Sequence, residues 1–406
     1  PPRSTLFPYT TLFRSYINSL FTSTSAVCVT GLIVVDTAKD FDTFGKIVIL
    51  MLIQVGGLGV MTLTTFFAAF LAGGVSYRVR IVMRELLSNE SIGEVSSLIL
   101  KITILTIIIE LVGAFFLYLS IGGTFSHIDH QKLYIAIFHS VSAFCNAGFS
   151  LFSQNLMDPI VIDNYSFLTI IMLLVVLGGL GFGTLTNLLS LKLFRKQSKK
   201  IKHQLSVSTK LILITTFILI FGGAFLILLL NIYDFPSEIS FFEKIYNSIF
   251  LSVISRTAGF NMIPTESLGF SAAMIVIFLM WVGASPGSTG GGVKTTTFAI
   301  ALTSLIKIIK GKERMEMFYR QIPLDSIKKA FLVIFSSLLV LVFCSIILVK
   351  IEPDKQPLDL VFEAVSAIST VGLSRNLTFY LGDGGKVVII LLMFIGRIGE
   401  IGRAHV

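Results

Sequence analysis

The sequence predicts an all-α integral membrane protein. It is built from four repeats of membrane helix, half-helix, pore loop and membrane helix around a pseudo-four-fold pore. Three observations predict this. Of 406 residues, 54% are hydrophobic and only 14% charged, with a mean hydropathy of +0.88, more apolar surface than one soluble core can bury. One motif recurs four times: SAVCVTGL at 25–32, SAFCNAGF at 142–149, SVISRTAGF at 252–260 and SAISTVGL at 366–373, with its glycines Gly31, Gly148, Gly259 and Gly372 spaced by 117, 111 and 113 residues. Each copy follows an apolar segment too short to cross a bilayer and precedes a polar stretch and a long apolar run.

The chemistry of the motif follows from its glycine. A residue that takes positive φ lets successive carbonyls turn toward a common axis, where they replace the water around a cation. The half-helix in front of it points the negative end of its dipole at the same axis, which favours cations over anions. Four such loops, Val29-Thr30-Gly31, Asn146-Ala147-Gly148, Thr257-Ala258-Gly259 and Thr370-Val371-Gly372, read as a monovalent-cation selectivity filter with the ion on their carbonyls. The competing reading is that each glycine only permits close helix packing.

In chain order, Thr5 to Ser15 (TLFPYTTLFRS) resembles a translated sequencing adapter, as does Glu400 to Val406 (EIGRAHV). Residues 1–15 and 400–406 are therefore expected to be adapter-derived artefacts, with the first helix of repeat 1 and the C-terminal end missing from the fragment. Repeat 1 then spans 16–75, with a half-helix near Tyr16 to Val27 and a long helix from about Phe44 to Ala72. Repeat 2 (76–195) has spans near Ser96 to Ile121 and Tyr165 to Phe194 about a half-helix near Lys132 to Cys145. Repeat 3 (196–310) has a span near Ser206 to Ile232, a half-helix near Phe241 to Ser255 and an interrupted segment from Ser271 to Ile309. Repeat 4 (311–399) has a span near Ile327 to Ile351, a half-helix near Leu358 to Ser369 and a final span from Lys386.

Every second span carries a glycine cluster: Gly56-Gly57-Leu58-Gly59, Gly178-Gly179-Leu180-Gly181, the stretch from Gly283, and Gly396-Arg397-Ile398-Gly399. The first two allow a kink or close packing. In repeat 3, residues 283–297 hold Gly283, Ser285, Pro286, Gly287, Ser288, Thr289, Gly290, Gly291, Gly292 and Lys294, too many breakers to remain helical. Irregular backbone at membrane depth is tolerated where it is buried in protein or lines a water-filled path, so this loop is expected beneath the filter as a gate. A nucleotide-binding reading fails because Val293 separates Gly292 from Lys294, unlike the Gly-Lys-Ser/Thr of a phosphate loop.

Charges inside apolar runs need a partner or a task. Arg397 either holds the carbonyls and hydroxyls of that loop, or raises a barrier to cations below the filter, or snorkels from a helix end. Arg256 and Glu363 are expected to pair and brace the filter. Glu110 is either part of a proton or sodium route or a partnered packing residue. Cys28 and Cys145 take the same place in two motifs and read as small residues behind the filter; Cys344 reads as a lipid-facing or packing residue, and three cysteines make no disulfide framework.

The net charge of +9 is concentrated between repeats, in Arg78, Arg80 and Arg84, in Lys192 through Lys202 and in Lys307 through Arg320, whereas Asp129, Asp158, Asp163, Asp234, Glu238, Asp354 and Asp359 flank the motifs. The positive-inside rule places the basic loops in the cytoplasm and the motifs toward the outside. Because those loops only join apolar spans, the charge does not indicate nucleic-acid binding.

With RTAGF and GASPGSTGGGVKT in place, the chain is similar to the Trk/Ktr/HKT superfamily of potassium transporters, and most resembles the membrane pore subunit of bacterial Ktr systems. The resemblance implies that Gly31, Gly148, Gly259 and Gly372 are the filter glycines, with Gly31 pointing to potassium because relatives with serine there favour sodium. It implies that Gly283 to Thr297 is the gating loop and Arg397 its arginine. It also implies potassium uptake at the bacterial cell membrane, a homodimer and a cytosolic ring of nucleotide-binding regulatory subunits. No bound cofactor is expected beyond transported K+ and a possible dependence on Na+. The alternative is a secondary active transporter for sodium or a small solute, with its site at broken helices. An enzyme is not expected, since no repeat presents a His, Cys and carboxylate constellation.

Overall fold

The computed structural model describes residues 8–59, 95–121, 129–193, 205–231, 239–311, 316–318 and 320–403. Repeat 1 contributes α1 (Pro8–Val27) and α2 (Thr43–Leu58). Repeat 2 contributes α3 (Val95–Ser120), α4 (Asp129–Phe144), α5 (Tyr165–Gly179) and α6 (Phe182–Leu193). Repeat 3 contributes α7 (Val207–Asn231), α8 (Phe241–Ile254), α9 (Phe270–Trp281) and α10 (Thr295–Ile309). A two-residue hairpin, β1 (Glu316–Met317) against β2 (Arg320–Gln321), leads to α11 (Leu324–Ile351), α12 (Pro357–Ile368) and α13 (Asp383–Arg403) in repeat 4.

Length separates the two kinds of helix. Leu100–Ser120, Val207–Asn231 and Leu324–Ile351, the first spans of repeats 2, 3 and 4, are long and apolar enough to cross a membrane. The half-helices α4, α8 and α12 have 16, 14 and 12 residues, too few at 1.5 Å per residue to cross a hydrocarbon layer about 30 Å thick. They start where local chemistry directs. Ser240 and Glu243 form a reciprocal capping box in front of α8, and Pro357 opens α12 where its missing N–H has no helical partner to lose. Apolar side chains cover the outward faces too: Leu111, Phe115 and Leu119 on α3, Phe217 and Phe225 on α7, and Leu332, Phe335 and Phe343 on α11 are exposed, as a lipid-facing surface requires.

Buried clusters join the repeats in a closed circle. Ala26 of α1 and Ile53 of α2 pack with Phe138 and Val141 of α4, joining repeats 1 and 2. Phe167 of α5, Phe250 of α8, Val276 of α9 and Phe362 of α12 belong to one larger core through repeats 2, 3 and 4. Phe21 of α1 meets Leu348, Leu360 and Ile389 of repeat 4, closing the circle.

The glycine clusters of the second spans differ. Gly56, Gly178 and Gly396 sit where a Cβ would come within 2.1, 1.9 and 2.1 Å of the carbonyl oxygens of Val27, Phe144 and Ile368, so each lets its helix abut the end of its own half-helix. In repeat 2 the chain also bends by 100° between α5 and α6, with Gly181 at φ 84°. Gly59 ends α2 with the same φ. At the Gly396-Arg397-Ile398-Gly399 cluster α13 runs helical through to Arg403: Gly396 is used for close approach, and no residue there turns to positive φ.

Helix ends lie within a few residues of expectation, except that α1 begins at Pro8, inside the stretch set aside as adapter-derived. The continuation of α2 toward Ala72 and most of the basic inter-repeat residues fall outside the described residues.

Candidate functional site

Each half-helix ends in a loop with positive φ at every second residue: Val29 (56°) and Gly31 (90°), Asn146 (61°) and Gly148 (69°), Thr257 (82°) and Gly259 (66°), Thr370 (49°) and Gly372 (93°). Three of the four non-glycine residues are β-branched, for which this conformation costs on the order of 1–3 kcal/mol each. Strain repeated at the same place in four loops requires surroundings that enforce it.

Those surroundings are the other loops. A Cβ on Gly31 would lie 2.4 Å from the Ala147 carbonyl oxygen, on Gly148 2.6 Å from that of Ala258, on Gly259 2.4 Å from that of Val371, and on Gly372 2.1 Å from that of Thr30. The twelve expected residues therefore come together as a ring in the order 31, 148, 259, 372, each glycine backing on the middle residue of the next loop. No side chain fits at any of the four. The glycines form the floor of a cavity of about 280 Å³, walled by the segments that follow the loops, and its charged lining residues, Asp36 and Glu266, are both acidic.

The motif serines hold three of the loops. Ser25 and Ser366 accept from the amides of Gly31 and Gly372 at 3.1 and 3.0 Å, and Ser142 donates to the Phe149 carbonyl at 2.7 Å. The third motif is one residue longer, and there Ser252 turns away to the Ile220 carbonyl at 2.7 Å. The side-chain oxygen of Asn146 accepts from the Thr257 hydroxyl at 3.1 Å, linking loops 2 and 3 below the glycines.

The glycine-rich stretch between α9 and α10 lies against that underside. Gly290 abuts the Thr257 hydroxyl so closely that a Cβ would overlap it. The Thr289 hydroxyl donates to the Phe144 carbonyl at 3.1 Å, the Ser285 amide to the Gly179 carbonyl at 3.0 Å, and the Phe182 amide to the Gly287 carbonyl at 2.9 Å. Three buried cations hold the loop by its carbonyls: Arg397 Nη1 on Thr289 O at 2.8 Å, Arg256 Nη2 on Gly283 O at 3.2 Å, and Lys294 Nζ on Gly290 O at 2.8 Å. Arg397 Nη2 also donates to the Gly56 carbonyl, so it does not snorkel. Of the tip residues Pro286, Gly287 and Ser288, Gly287 is exposed, with open space around it.

The expected pairing of Arg256 with Glu363 is not formed. Arg256 lies three residues before its glycine, level with the loop below, whereas Glu363 lies nine residues before its own, higher by roughly 9 Å at 1.5 Å per residue. Glu363 instead receives the hydroxyls of Ser374 and Thr378. The ion pair at this end is Arg375 Nε with Asp359 Oδ1 at 2.7 Å, and the same guanidinium donates to the carbonyls of Thr265, Leu268 and Glu266, fastening repeat 4 to repeat 3. Nothing in the spacing of charges singled out Arg375.

Glu110 is buried and partnered: Gln54 Nε2 donates to its Oε2 at 3.1 Å and Cys145 Sγ lies 3.6 Å from its Oε1. Cys145 and Cys28 are both buried behind their loops, and Cys344 faces an apolar groove between α11 and α13. Among the described residues no group of three or more His, Cys, Asp or Glu could hold a metal ion.

Residues 7–404 match the family described as "TrkH: Cation transport protein". The chain is 37% identical over 395 residues to Ktr system potassium uptake protein B of Bacillus subtilis, covering 97% of this chain and 86% of that one. It is also 37% identical over 387 residues to potassium/sodium uptake protein NtpJ of Enterococcus hirae, covering 95% and 83%. The crystal structure of the potassium transporter TrkH from Vibrio parahaemolyticus has the same fold, with a TM-score of 0.69 at 18% identity over 95% of this chain and 77% of that one.

Proposed function

Since this chain belongs to the TrkH cation transport family, we propose that it takes up potassium through the ring of four glycine loops, as the ion-conducting membrane subunit of a Ktr/Trk-type system. The closed ring is the observation that supports this most. Its floor of backbone, four half-helices ending beside it and two acidic side chains in the cavity above all suit a cation that sheds water onto carbonyl oxygens. Val29 to Gly31, Asn146 to Gly148, Thr257 to Gly259 and Thr370 to Gly372 act as the selectivity filter, and glycine at position 31 favours potassium. The stretch 283–297 acts as the gate, held closed by Arg397 and released when its open form is favoured by a partner that binds the two forms unequally. The protein works in the bacterial cell membrane as a homodimer with a cytosolic nucleotide-binding ring. A sodium component is supported by the name of the Enterococcus relative. Growth of a bacterium without its own potassium uptake tests the reading: expression of this protein restores growth at limiting potassium, whereas failure with protein in the membrane and a regulatory partner supplied overturns it.

A further inference from the structure

Two residues that no motif contains occupy one position in the four-fold register. Three residues before each motif serine stand Thr22, His139, Ile249 and Glu363, and two residues after each loop glycine stand Ile33, Ser150, Asn261 and Ser374. In repeats 2 and 4 these positions are bonded. His139 Nδ1 lies 2.8 Å from the Ile135 carbonyl, which only accepts, so Nδ1 bears the proton and Nε2 accepts from the Ser150 hydroxyl at 3.0 Å. Ser150 in turn accepts from the Phe152 amide at 3.0 Å, and the Phe152 ring stacks on the imidazole at 4.8 Å. Glu363 receives the Ser374 hydroxyl and, at 3.1 and 3.0 Å, that of Thr378. Ser150 and Ser374 line the cavity whose floor is the glycine ring.

Repeats 1 and 3 lack this bond. The register sets Thr22 against Ile33 and Ile249 against Asn261, pairs that cannot hydrogen-bond through their side chains, and both Thr22 Oγ1 and Asn261 Oδ1 are left without a partner. Because the ring runs 31, 148, 259, 372, repeats 2 and 4 face each other across the axis. The two bonded positions thus hold the exits of one diagonal of the ring, whereas the exits of loops 1 and 3 have no such bond.

We infer that His139 and Glu363 are positioning residues for ion discrimination, which fix the carbonyls of loops 2 and 4 by holding Ser150 and Ser374 at the exit of each loop. This rests on the ring being the selectivity filter. Where a carbonyl cage selects by the size it keeps, a stiff diagonal favours the larger ion and a loosened one admits sodium.

The test is rubidium influx with sodium competing, for Ser150→Ala, Ser374→Ala, the double variant and the hydroxyl-retaining Ser150→Thr and Ser374→Thr, with Gly148→Ser as reference. Each alanine variant lowers the preference for rubidium over sodium by roughly fivefold, as loss of one hydrogen bond implies, the double variant multiplies the two effects, and threonine retains the preference. Adding His139→Gln to Ser150→Ala lowers it no further. Unchanged preference in both alanine variants while Gly148→Ser abolishes it overturns the inference and leaves the filter standing, as does threonine behaving like alanine. Unchanged preference in Gly148→Ser as well overturns the filter and the inference together.

Discussion

Arg397 donates to the carbonyl oxygen of Thr289 at 2.8 Å, joining the last helix to the loop beneath the glycine ring. The same guanidinium reaches the Gly56 carbonyl on α2. One side chain therefore ties repeats 1, 3 and 4 together at one depth. Replacing it with alanine strands the buried Thr289 carbonyl, a penalty of about 1–3 kcal/mol on the loop as it stands, while the Gly56 carbonyl keeps the Gly59 amide. Arg397→Ala is expected to raise rubidium influx in the absence of any regulatory partner. Arg397→Lys keeps the charge but cannot reach two carbonyls with a planar fork, and gives intermediate leak.

Gly148 is at φ 69° with the Ala258 carbonyl 2.6 Å from the place of a Cβ, so the obstacle is backbone and not a movable side chain. Gly148→Ala is expected to cut uptake roughly tenfold or more, since strain and overpacking each cost 1 kcal/mol or more. Gly222, helical and with nothing within 4 Å, is the control. Gly222→Ala is expected to leave uptake unchanged and to stabilise α7 slightly. Influx per amount of membrane protein distinguishes the two.

Arg375 holds repeat 4 to repeat 3 through Asp359 and three carbonyls. Arg375→Ala is expected to destabilise the detergent-solubilised protein by about 2 kcal/mol, read as a lower melting temperature. The reversal Arg375→Asp with Asp359→Arg does not restore it, because the carbonyls of Thr265, Glu266 and Leu268 still need the donors at position 375.

Glu110 binds Gln54 and Cys145, neutral partners that a glutamine in its place also satisfies in part. Glu110→Gln is expected to keep uptake within about twofold of the original, while Glu110→Leu, which strands Gln54, reduces protein in the membrane. Abolished uptake in a normally inserted Glu110→Gln protein would instead place this carboxylate on a proton or sodium route.

What could be read from the chain depended on range. The four glycines, the half-helices before them and the loop from Gly283 are signalled by residues a few positions apart, since positive φ and helix breaking are local properties, and they emerged close to their expected bounds. Partner choice is not local. Arg256 and Glu363 looked like a pair because one lies behind the third loop and the other in the neighbouring half-helix, yet their different distances from the glycine put them at different heights. Gly396 looked like Gly178 but serves close packing alone, which depends on the Ile368 carbonyl opposite. His139 and Arg375 gave no pattern of their own; counting His139 from Gly148 and Glu363 from Gly372 would have exposed their shared register.

In the proposed function the four loops bind the conducted ion on their backbone. Anomalous diffraction from crystals grown in rubidium tests it most directly. Anomalous density is expected on the axis, within coordination distance of the carbonyls of Thr30, Ala147, Ala258 and Val371, and is expected to weaken in Gly148→Ser crystals. Density elsewhere in the membrane layer, with none in the ring, would contradict it.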